Sequence, residues 1–478
     1  MSVILVNWLK LKQIFQFKPH DISTAQGKSH ERYRRILLTG GSTAIVKIFA
    51  VAINLVTVPL TVNYLGAERY GLWMSISSVM ALMGFADLGL GNGLLNAVAK
   101  ANGRSSNEDA QIAVSSTFYI LLGISGVLLA IFLSAFTFIS WQHVFNVSSA
   151  LAIKESAPTM LVLVIILLIN IPLGIIERIY LGYQEGYRFQ IWLILGSFLS
   201  FAGLLLCINF KWGLPWLVLA FSGGQLIATF MNGIYLFSKK RKYLLPRLKY
   251  FNLDMGKTLI RSGLIFFLLG LFTLLANTSD DIILSQTLGP SSVAGYEVVK
   301  KMFLFSMFTQ YIIQPLWPAF AEAMESGDIE WAKKTLKKGL RISIICAAVI
   351  SLPLLIFGKQ IVLVWVGAAY IPSWWLLAGF YVFVLIANYG GVMSTFLNSG
   401  PLLYRQLLIV GLSGTSSVIF KIYLSAHFGV SGIIWATILC YGVFYIIPCY
   451  RLAFSYLNDK KNEFTPKTKE LESYTIQG

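Results

Sequence analysis

The feature of this sequence that most constrains its fold is a succession of apolar runs, each long enough to cross a lipid bilayer. A hydrocarbon core about 30 Å thick is crossed by a helix of roughly 20 apolar residues. Of this chain 56% is hydrophobic and only 12% is charged, whereas about 25% of a soluble chain is charged. We therefore predict an all-α polytopic membrane protein with twelve transmembrane helices, near residues 38–63, 71–98, 111–139, 158–181, 189–210, 213–237, 258–287, 294–320, 339–366, 373–398, 404–427 and 429–454.

The basic residues predict the orientation of these spans. If the N-terminus is cytoplasmic, 30 of the 38 Lys and Arg residues fall on cytoplasmic segments. Cytoplasmic loops carry such an excess of Lys and Arg, so we expect a multi-pass protein of the bacterial inner membrane with both termini in the cytoplasm. The same bias explains the net charge of +17, and no nucleic-acid partner is predicted. The segments on the opposite side of the membrane contain only Arg69, Lys154, Lys211 and Lys359.

A long basic segment divides the spans into two groups of six. The pair Leu65-Gly66 is echoed 223 residues later by Leu288-Gly289. Six is an even number, so the two groups would be parallel repeats related by a pseudo-two-fold axis along the membrane normal. The predicted organisation is a cytoplasmic segment 1–37, a six-helix bundle 38–238, a basic cytoplasmic linker 239–257, a second six-helix bundle 258–454 and a cytoplasmic tail 455–478.

Four stretches carry a resemblance to a known family: YLGAERYGLW, DLGLGNGLLNAVAK, SDDIILSQTLGPSSVAGYEVVKKM and PAFAEAMESGDIEWAKKTLKKG. In this order they resemble the Wzx-type polysaccharide biosynthesis proteins, the O-antigen flippases of the MATE-like superfamily, over about residues 38–455. The resemblance implies two six-helix bundles and alternating access. It also implies that an undecaprenyl-pyrophosphate-linked oligosaccharide is carried from cytoplasm to periplasm for O-antigen, capsule or exopolysaccharide synthesis. Expected partners are this cargo, membrane lipids, and the polymerase and chain-length regulator of the pathway.

Ionisable side chains inside a bilayer cost several kcal/mol, so those within the spans are candidates for function. At a rise of 1.5 Å per residue, Lys47 and Asp87 both lie roughly 15 Å deep on consecutive antiparallel helices, which suggests an ion pair. In the second half, four charges share a depth of roughly 10 Å. They either act on cargo or ions, or they snorkel and pair structurally. These four are Asp280, Asp281, Lys300 and Lys301.

A polar stripe follows one face of the eighth span, because Lys300, Gln310 and Gln314 recur at helical spacing. Such a stripe must turn away from hydrocarbon, so it either lines a wet cavity or holds helices together. We favour the cavity because the inferred cargo is hydrophilic. Lys421 lies about six residues from the outer end of its span, where it can snorkel. The candidate cavity residues are Lys47, Asn54, Lys300, Lys301, Gln310, Gln314 and Lys421.

Coupling to an ion gradient would use a buried carboxylate, and Asp87, Asp280 and Asp281 are the candidates, with H⁺ or Na⁺ as the ion. The cysteines and histidines show no metal-ligand spacing, so neither a metal nor any other cofactor is predicted. Weaker candidates near the ends of spans are Glu177, Arg178 and Arg261.

Two other classes of protein share part of this pattern. A membrane polysaccharide polymerase or ligase would carry a large outside loop, but the longest outside segment, 140–157, has only about 18 residues and no Arg/His constellation. No GxxxxGK[ST] loop occurs, so the chain is predicted neither to hydrolyse nucleotides nor to be an enzyme. A MATE-type exporter of cationic drugs is the nearest alternative, but its cavity should be acidic rather than lysine-bearing.

Overall fold

The computed structural model describes residues 20–460, apart from residues 22, 83–85, 146, 289, 305 and 307–308. The described residues form helices and turns without any β-strand, which confirms the all-α prediction. They fall into two compact units. We call Leu37–Leu264 the N-terminal unit, and Ile265–Gly478 together with Met1–Ile36 the C-terminal unit.

The N-terminal unit contains most of the first helix, and that helix is interrupted where Gly66 has φ 75°. Only glycine adopts this left-handed conformation without steric cost. The helices of this unit are α1 (Ala25–Leu82), α2 (Leu90–Gly103), α3 (Asn107–Phe136), α4 (Trp141–Val144), α5 (Ala150–Leu173), α6 (Ile175–Gly182), α7 (Gly186–Asn209) and α8 (Leu214–Tyr235), the last extended by a π-helical turn, Leu236–Lys240.

The C-terminal unit begins within a long helix that starts at Leu253, and it also receives the first described turns of α1, up to Ile36. Its helices are α9 (Leu253–Leu288), α10 (Pro290–Phe303), α11 (Thr309–Ile313), α12 (Leu316–Glu325), α13 (Ile329–Trp365), α14 (Trp374–Asn398), α15 (Leu403–Phe428) and α16 (Val430–Cys440), which continues through a π-helical segment, Tyr441–Ile446.

Among the described residues, ten helical segments are long and apolar enough to cross a membrane. The predicted spans 71–98 and 294–320 are not among the ten, because each is divided into shorter helices. In the first, Leu88 and Gly89 have positive φ and separate α1 from α2. The second consists of the short helices α10, α11 and α12. In the part of the chain that the structure describes, ten continuous spans therefore stand where twelve were predicted, and the other two regions contain shorter helices.

Small residues bring the helices of the N-terminal unit close together. A Cβ added at Gly182 would lie 2.7 Å from Val98 Cγ1, and one added at Gly233 would lie 2.7 Å from Ile176 Cδ1. The addition at Gly182 would force the helices apart, since it also meets Val98 Cβ at 2.8 Å, whereas the addition at Gly233 would require the Ile176 side chain to shift. In membranes, where water does not drive helices together, such close packing is a main source of stability.

Aromatic side chains fill the core of the C-terminal unit. The rings of Phe303 and Phe380 stack with centroids 5.8 Å apart, and the Tyr296 ring lies 5.2 Å from that of Phe380. Phe320 meets Phe396 edge to face at 5.3 Å, a favoured geometry for aromatic pairs. These contacts fix α10 and α12 against α14 and so determine where the charged residues of α10 lie.

The predicted linker 239–257 is folded against α3 of the N-terminal unit. The N–H groups of Arg247 and Asn252 donate hydrogen bonds to the hydroxyl oxygens of Ser115 (3.3 Å) and Ser116 (3.0 Å). Leu244, in the same segment, is fully buried. This basic segment therefore belongs to the packed part of the N-terminal unit.

Candidate functional site

Among the described residues of the C-terminal unit, the most deeply buried charge is the ammonium group of Lys421. Lys421 lies in the last third of α15 and is only 1% exposed. Its Nζ lies 2.5 Å from Asp280 Oδ1 on α9 and 3.4 Å from the hydroxyl of Ser279. A lone charge in an apolar interior is very costly, whereas a paired one with further hydrogen bonds is tolerated. Sequence analysis allowed Lys421 to snorkel to the surface, and its burial contradicts that possibility.

Three residues on α10 extend this ion pair into a cluster. The buried Tyr296 hydroxyl donates a 2.7 Å hydrogen bond to Asp280 Oδ2. One turn along α10, Lys300 Nζ lies 5.7 Å from the centre of the Tyr296 ring and 2.6 Å from Glu297 Oε1. We call Asp280, Tyr296, Glu297, Lys300 and Lys421 the buried charge cluster after its buried members Asp280, Tyr296 and Lys421; Glu297 and Lys300 are half-buried. It contains two ammonium groups and two carboxylates, so its net formal charge is zero.

Lys421 of this cluster lies in a helix whose composition is otherwise largely apolar. Lys421 belongs to Leu403–Phe428, one of the ten candidate spans. Charged residues inside spans usually face the protein interior, pair with one another, and mark pathways of substrates or ions. The structure thus brings together three of the predicted residues, Asp280, Lys300 and Lys421.

A second polar group in the C-terminal unit consists of neutral side chains. The fully buried Asn388 on α14 accepts hydrogen bonds from the Thr309 hydroxyl and from Gln310 Nε2, the latter at 3.3 Å. Its own Nδ2 donates to the carbonyl oxygen of Val384 at 2.9 Å. Gln310, predicted as a cavity residue, therefore takes part in an amide cluster that joins α11 to α14.

The other predicted residues of this unit lie apart from these clusters. Lys301 and Gln314 are exposed. The side chain of Asp281 lies outside the described part of the chain. Sequence reasoning gave Asp280, Asp281, Lys300 and Lys301 a common depth, but the observed ion-pair partner of Asp280 comes from α15.

In the N-terminal unit, Asp87 caps a helix. Its carboxylate oxygens accept hydrogen bonds from the N–H groups of Gly89 (2.9 Å) and Gly91 (3.3 Å) at the start of α2. A carboxylate here satisfies backbone donors that the helix itself leaves unpaired. Arg178 is close by, because a Cβ added at Gly91 would lie 3.0 Å from both Arg178 Nε and Asp87 Oδ2.

The remaining candidates of the N-terminal unit do not form one site. Lys47 is exposed, Arg261 is exposed, and Glu177 and Arg178 are half-buried. The Asn54 side chain lies outside the described residues. The Lys47–Asp87 ion pair stays a prediction.

Sequence reasoning missed a buried charge network at the start of α1. Arg32, 5% exposed, donates to both carboxylate oxygens of Glu322 (2.7 and 3.0 Å) and to Asp328 Oδ2 (2.7 Å). Its guanidinium also lies 4.8 Å from the ring centre of Trp331. The available signal was the run of three acidic residues in the stretch AEAMESGD, two of which, Glu322 and Asp328, bind Arg32.

A second missed network surrounds Glu185 in the N-terminal unit. This carboxylate, 8% exposed, lies 3.4 Å from Arg188, 3.6 Å from Lys240 and 3.5 Å from Arg241. The Arg241 guanidinium lies 3.5 Å from the centre of the Tyr183 ring. Burial, together with the hydrogen bond to Tyr243, raises the pKa of Tyr183 well above its usual range.

Long apolar helices in two units define a polytopic membrane protein, and a charge pair buried among such helices is typical of transporters. Among the described residues no three His, Cys, Asp or Glu side chains come together to hold a metal ion. The chain belongs to the polysaccharide biosynthesis protein family, whose profile matches residues 38–324. A protein of Salmonella typhi assigned as an O-antigen transporter is 24% identical over 440 residues, which cover 88% of this chain and 96% of the relative.

Solved structures confirm the MATE-like fold. An outward-facing multidrug resistance MATE family transporter of the MOP superfamily matches with a TM-score of 0.75 at 16% identity, over 90% of this chain and 96% of that one. A MOP-superfamily transporter from Pyrococcus furiosus, described as having a binding pocket of reversed polarity that suggests a different function, matches with a TM-score of 0.74 at 15% identity and the same coverage. The protein is a polysaccharide-related membrane transporter and not an enzyme.

Proposed function

We propose that this protein flips an undecaprenyl-pyrophosphate-linked oligosaccharide repeat unit from the cytoplasmic to the periplasmic leaflet of the bacterial inner membrane by alternating access. The product would feed O-antigen, capsule or exopolysaccharide synthesis. The observation that carries the proposal is the relationship to the Salmonella typhi protein assigned as an O-antigen transporter, which extends over nearly the full length of both chains. Both termini would face the cytoplasm.

The buried charge cluster supports a role in moving an anionic cargo. Lys421 and Lys300 each bring an ammonium group into an apolar unit, and each is held by a carboxylate. Pyrophosphate and acidic sugars would compete with Asp280 and Glu297 for these ammonium groups. Lysine is a point charge and does not bind phosphate bidentately as arginine does, so the cargo would be held loosely enough to be released.

The same cluster offers a place where an ion gradient could be coupled to transport. A proton or a Na⁺ ion would neutralise Asp280 when Lys421 leaves it for the cargo, so that Asp280 is never left as an unpaired buried charge. Asp87 is a less suitable coupling residue because its carboxylate already accepts two backbone hydrogen bonds.

A gene-disruption experiment tests the proposal. In the disrupted strain, lipid-linked repeat units should accumulate on the cytoplasmic face of the inner membrane, and surface polysaccharide should be lost. Wild-type protein supplied from a plasmid should restore both. Normal surface polysaccharide combined with increased sensitivity to cationic drugs would overturn the proposal in favour of a drug exporter.

A further inference from the structure

A groove in the C-terminal unit lies between the start of α15 and the last turns of the span Val430–Lys460. Its volume is about 510 Å³. Leu402, Leu452 and Pro448 contribute apolar walls, and the side chains of Arg405 and Arg451 line the same groove. The groove therefore combines an apolar surface with two guanidinium groups.

The two arginines give the groove a positive charge. Both are exposed, and within the part of the chain that the structure describes neither lies within ion-pair distance of a carboxylate. Asp459 also lines the groove, where it accepts a 3.4 Å hydrogen bond from Ser455. The groove keeps one net positive charge after Asp459 is counted.

The start of α7 in the N-terminal unit can be compared with the start of α15, which lines this groove. Tyr187-Arg188 stands two and three residues after the N-cap of α7, as Tyr404-Arg405 does in α15. The N-cap residue of α7 is Glu185, whose carboxylate holds Arg188 and two further cations. The N-cap residue of α15 is Leu402. Leucine in place of glutamate removes the internal counter-charge and adds an apolar wall.

We infer that this groove binds an anionic phospholipid of the surrounding bilayer, with the phosphate on Arg405 and Arg451. Guanidinium groups bind phosphate through paired, charge-assisted hydrogen bonds. Leu408, beside the groove and 57% exposed, offers a surface for an acyl chain. Arg405 is the third residue of its apolar helix and Arg451 follows the apolar stretch of the next, so both lie at helix ends, where basic pockets bind anionic headgroups.

The inference can be tested by native mass spectrometry of the full-length protein in detergent with added phosphatidylglycerol or phosphatidylcholine. The wild-type protein should retain phosphatidylglycerol in preference to phosphatidylcholine. The double variant R405Q/R451Q should bind phosphatidylglycerol more weakly, by about fivefold for each guanidinium removed. The matched control is R341Q, since Arg341 is an exposed arginine on α13 outside the groove, and it should behave as wild type.

A second variant keeps both guanidiniums. Leu402→Glu introduces the carboxylate that the N-terminal unit has at this place, and it should displace phosphatidylglycerol by pairing with Arg405. Unfolding temperatures measured in phosphatidylcholine should match the wild type for R405Q/R451Q, so that lost binding is not lost folding. Unchanged phosphatidylglycerol retention in R405Q/R451Q, or equal retention of both lipids by wild type, would overturn the inference. So would displacement of phosphatidylglycerol by equimolar farnesyl diphosphate, which would assign the groove to a polyprenyl carrier.

Discussion

The two units contain helices in the same order, but their buried charges lie at different positions in that order. Asp280 lies eight residues before Leu288, and the corresponding residue before Leu65 is Thr57. Lys421 lies nineteen residues after the N-cap of α15, and nineteen residues after the N-cap of α7 is Leu204. Thr57 and Leu204 are both buried and uncharged.

The starts of α7 and α15 show the opposite arrangement, because there the carboxylate lies in the N-terminal unit. In the N-terminal unit the carboxylate of Glu185 neutralises cations at the start of α7 and the end of α8. In the C-terminal unit the corresponding residue is Leu402, and the arginines near it line an open groove. At this helix start one unit therefore places a carboxylate among its basic residues, whereas the other leaves two arginines in a groove and buries the Lys421–Asp280 pair within its helices. Since a buried ion pair adds little stability over apolar residues, the pair in the C-terminal unit points to function.

The largest effect is expected from breaking the ion pair of Lys421. Lys421→Met leaves Asp280 as a buried carboxylate without its ammonium partner, which should cost about 3–5 kcal/mol of unfolding free energy. Thermal unfolding in detergent measures the loss. The control is Lys301→Met, because Lys301 is exposed on the neighbouring helix, and its unfolding should be close to that of wild type.

The double variant D280T/K421L sharpens the comparison, since it gives the C-terminal unit the residues of the N-terminal unit. Removing both charges should restore most of the stability lost by K421M, because no charge is left unpaired. Surface polysaccharide should nevertheless remain absent when this variant is expressed in the disrupted strain. Full restoration of polysaccharide would show that the pair is structural only.

A smaller effect is expected from Glu185→Leu, which gives the N-terminal unit the leucine of the C-terminal unit. Loss of this carboxylate leaves Arg188, Lys240 and Arg241 to repel one another and should cost about 2 kcal/mol. Inorganic phosphate should restore part of the stability by taking the place of the carboxylate. Glu108→Leu, at an exposed position of α3, should change stability by no more than about 0.5 kcal/mol. Equal losses in the two variants would contradict the role of Glu185.

The sequence predicts the helical elements well because apolar runs of span length are unambiguous. It also identifies Asp280, Lys300 and Lys421 as charged residues within predicted spans, where a charge is costly unless it has a functional or structural role. It does not predict that Asp280 pairs with Lys421, because depth along a helix says nothing about rotation around its axis or about which distant helix packs beside it. The same limit hides the contacts of Arg32 with Glu322 and Asp328, which are 290 residues or more away.

The two divided spans, 71–98 and 294–320, differ in how tightly a glycine in each is enclosed. A Cβ at Gly91 would meet Arg178 Nε and Asp87 Oδ2 at 3.0 Å, whereas one at Gly295 on α10 would meet nothing within 4 Å. We expect Gly91→Ala to destabilise the protein by about 1 kcal/mol through overpacking. Gly295→Ala should be neutral or stabilising by up to about 1 kcal/mol, since alanine favours helix. Denaturant unfolding of both variants measures the difference, and the reverse order would contradict it.

The smallest effect concerns Glu68, whose counterpart three residues after Leu288 is Ser291. Glu68 Oε1 accepts hydrogen bonds from the N–H groups of Ser148 (2.6 Å) and Ser149 (3.0 Å). The Ser149 side chain and these two N–H groups lower the pKa of Glu68 to about 2. A carboxyl whose pKa is lowered by folding stabilises the fold fully above its unfolded pKa, near 4.5, and loses that contribution as the pH falls through about 2.

Hydrogen exchange at Ser148 and Ser149, normalised to intrinsic rates at each pH, measures this effect. Protection should be greater in wild type than in Glu68→Gln at pH 6. The difference should shrink as the pH falls towards 2 and disappear only below it, where the wild-type carboxyl is protonated. Glu108→Gln, at an exposed carboxyl of α3, should leave protection at both serines unchanged. A difference between wild type and Glu68→Gln that persists at the lowest pH would mean that the contact depends on shape and not on the ionised carboxylate.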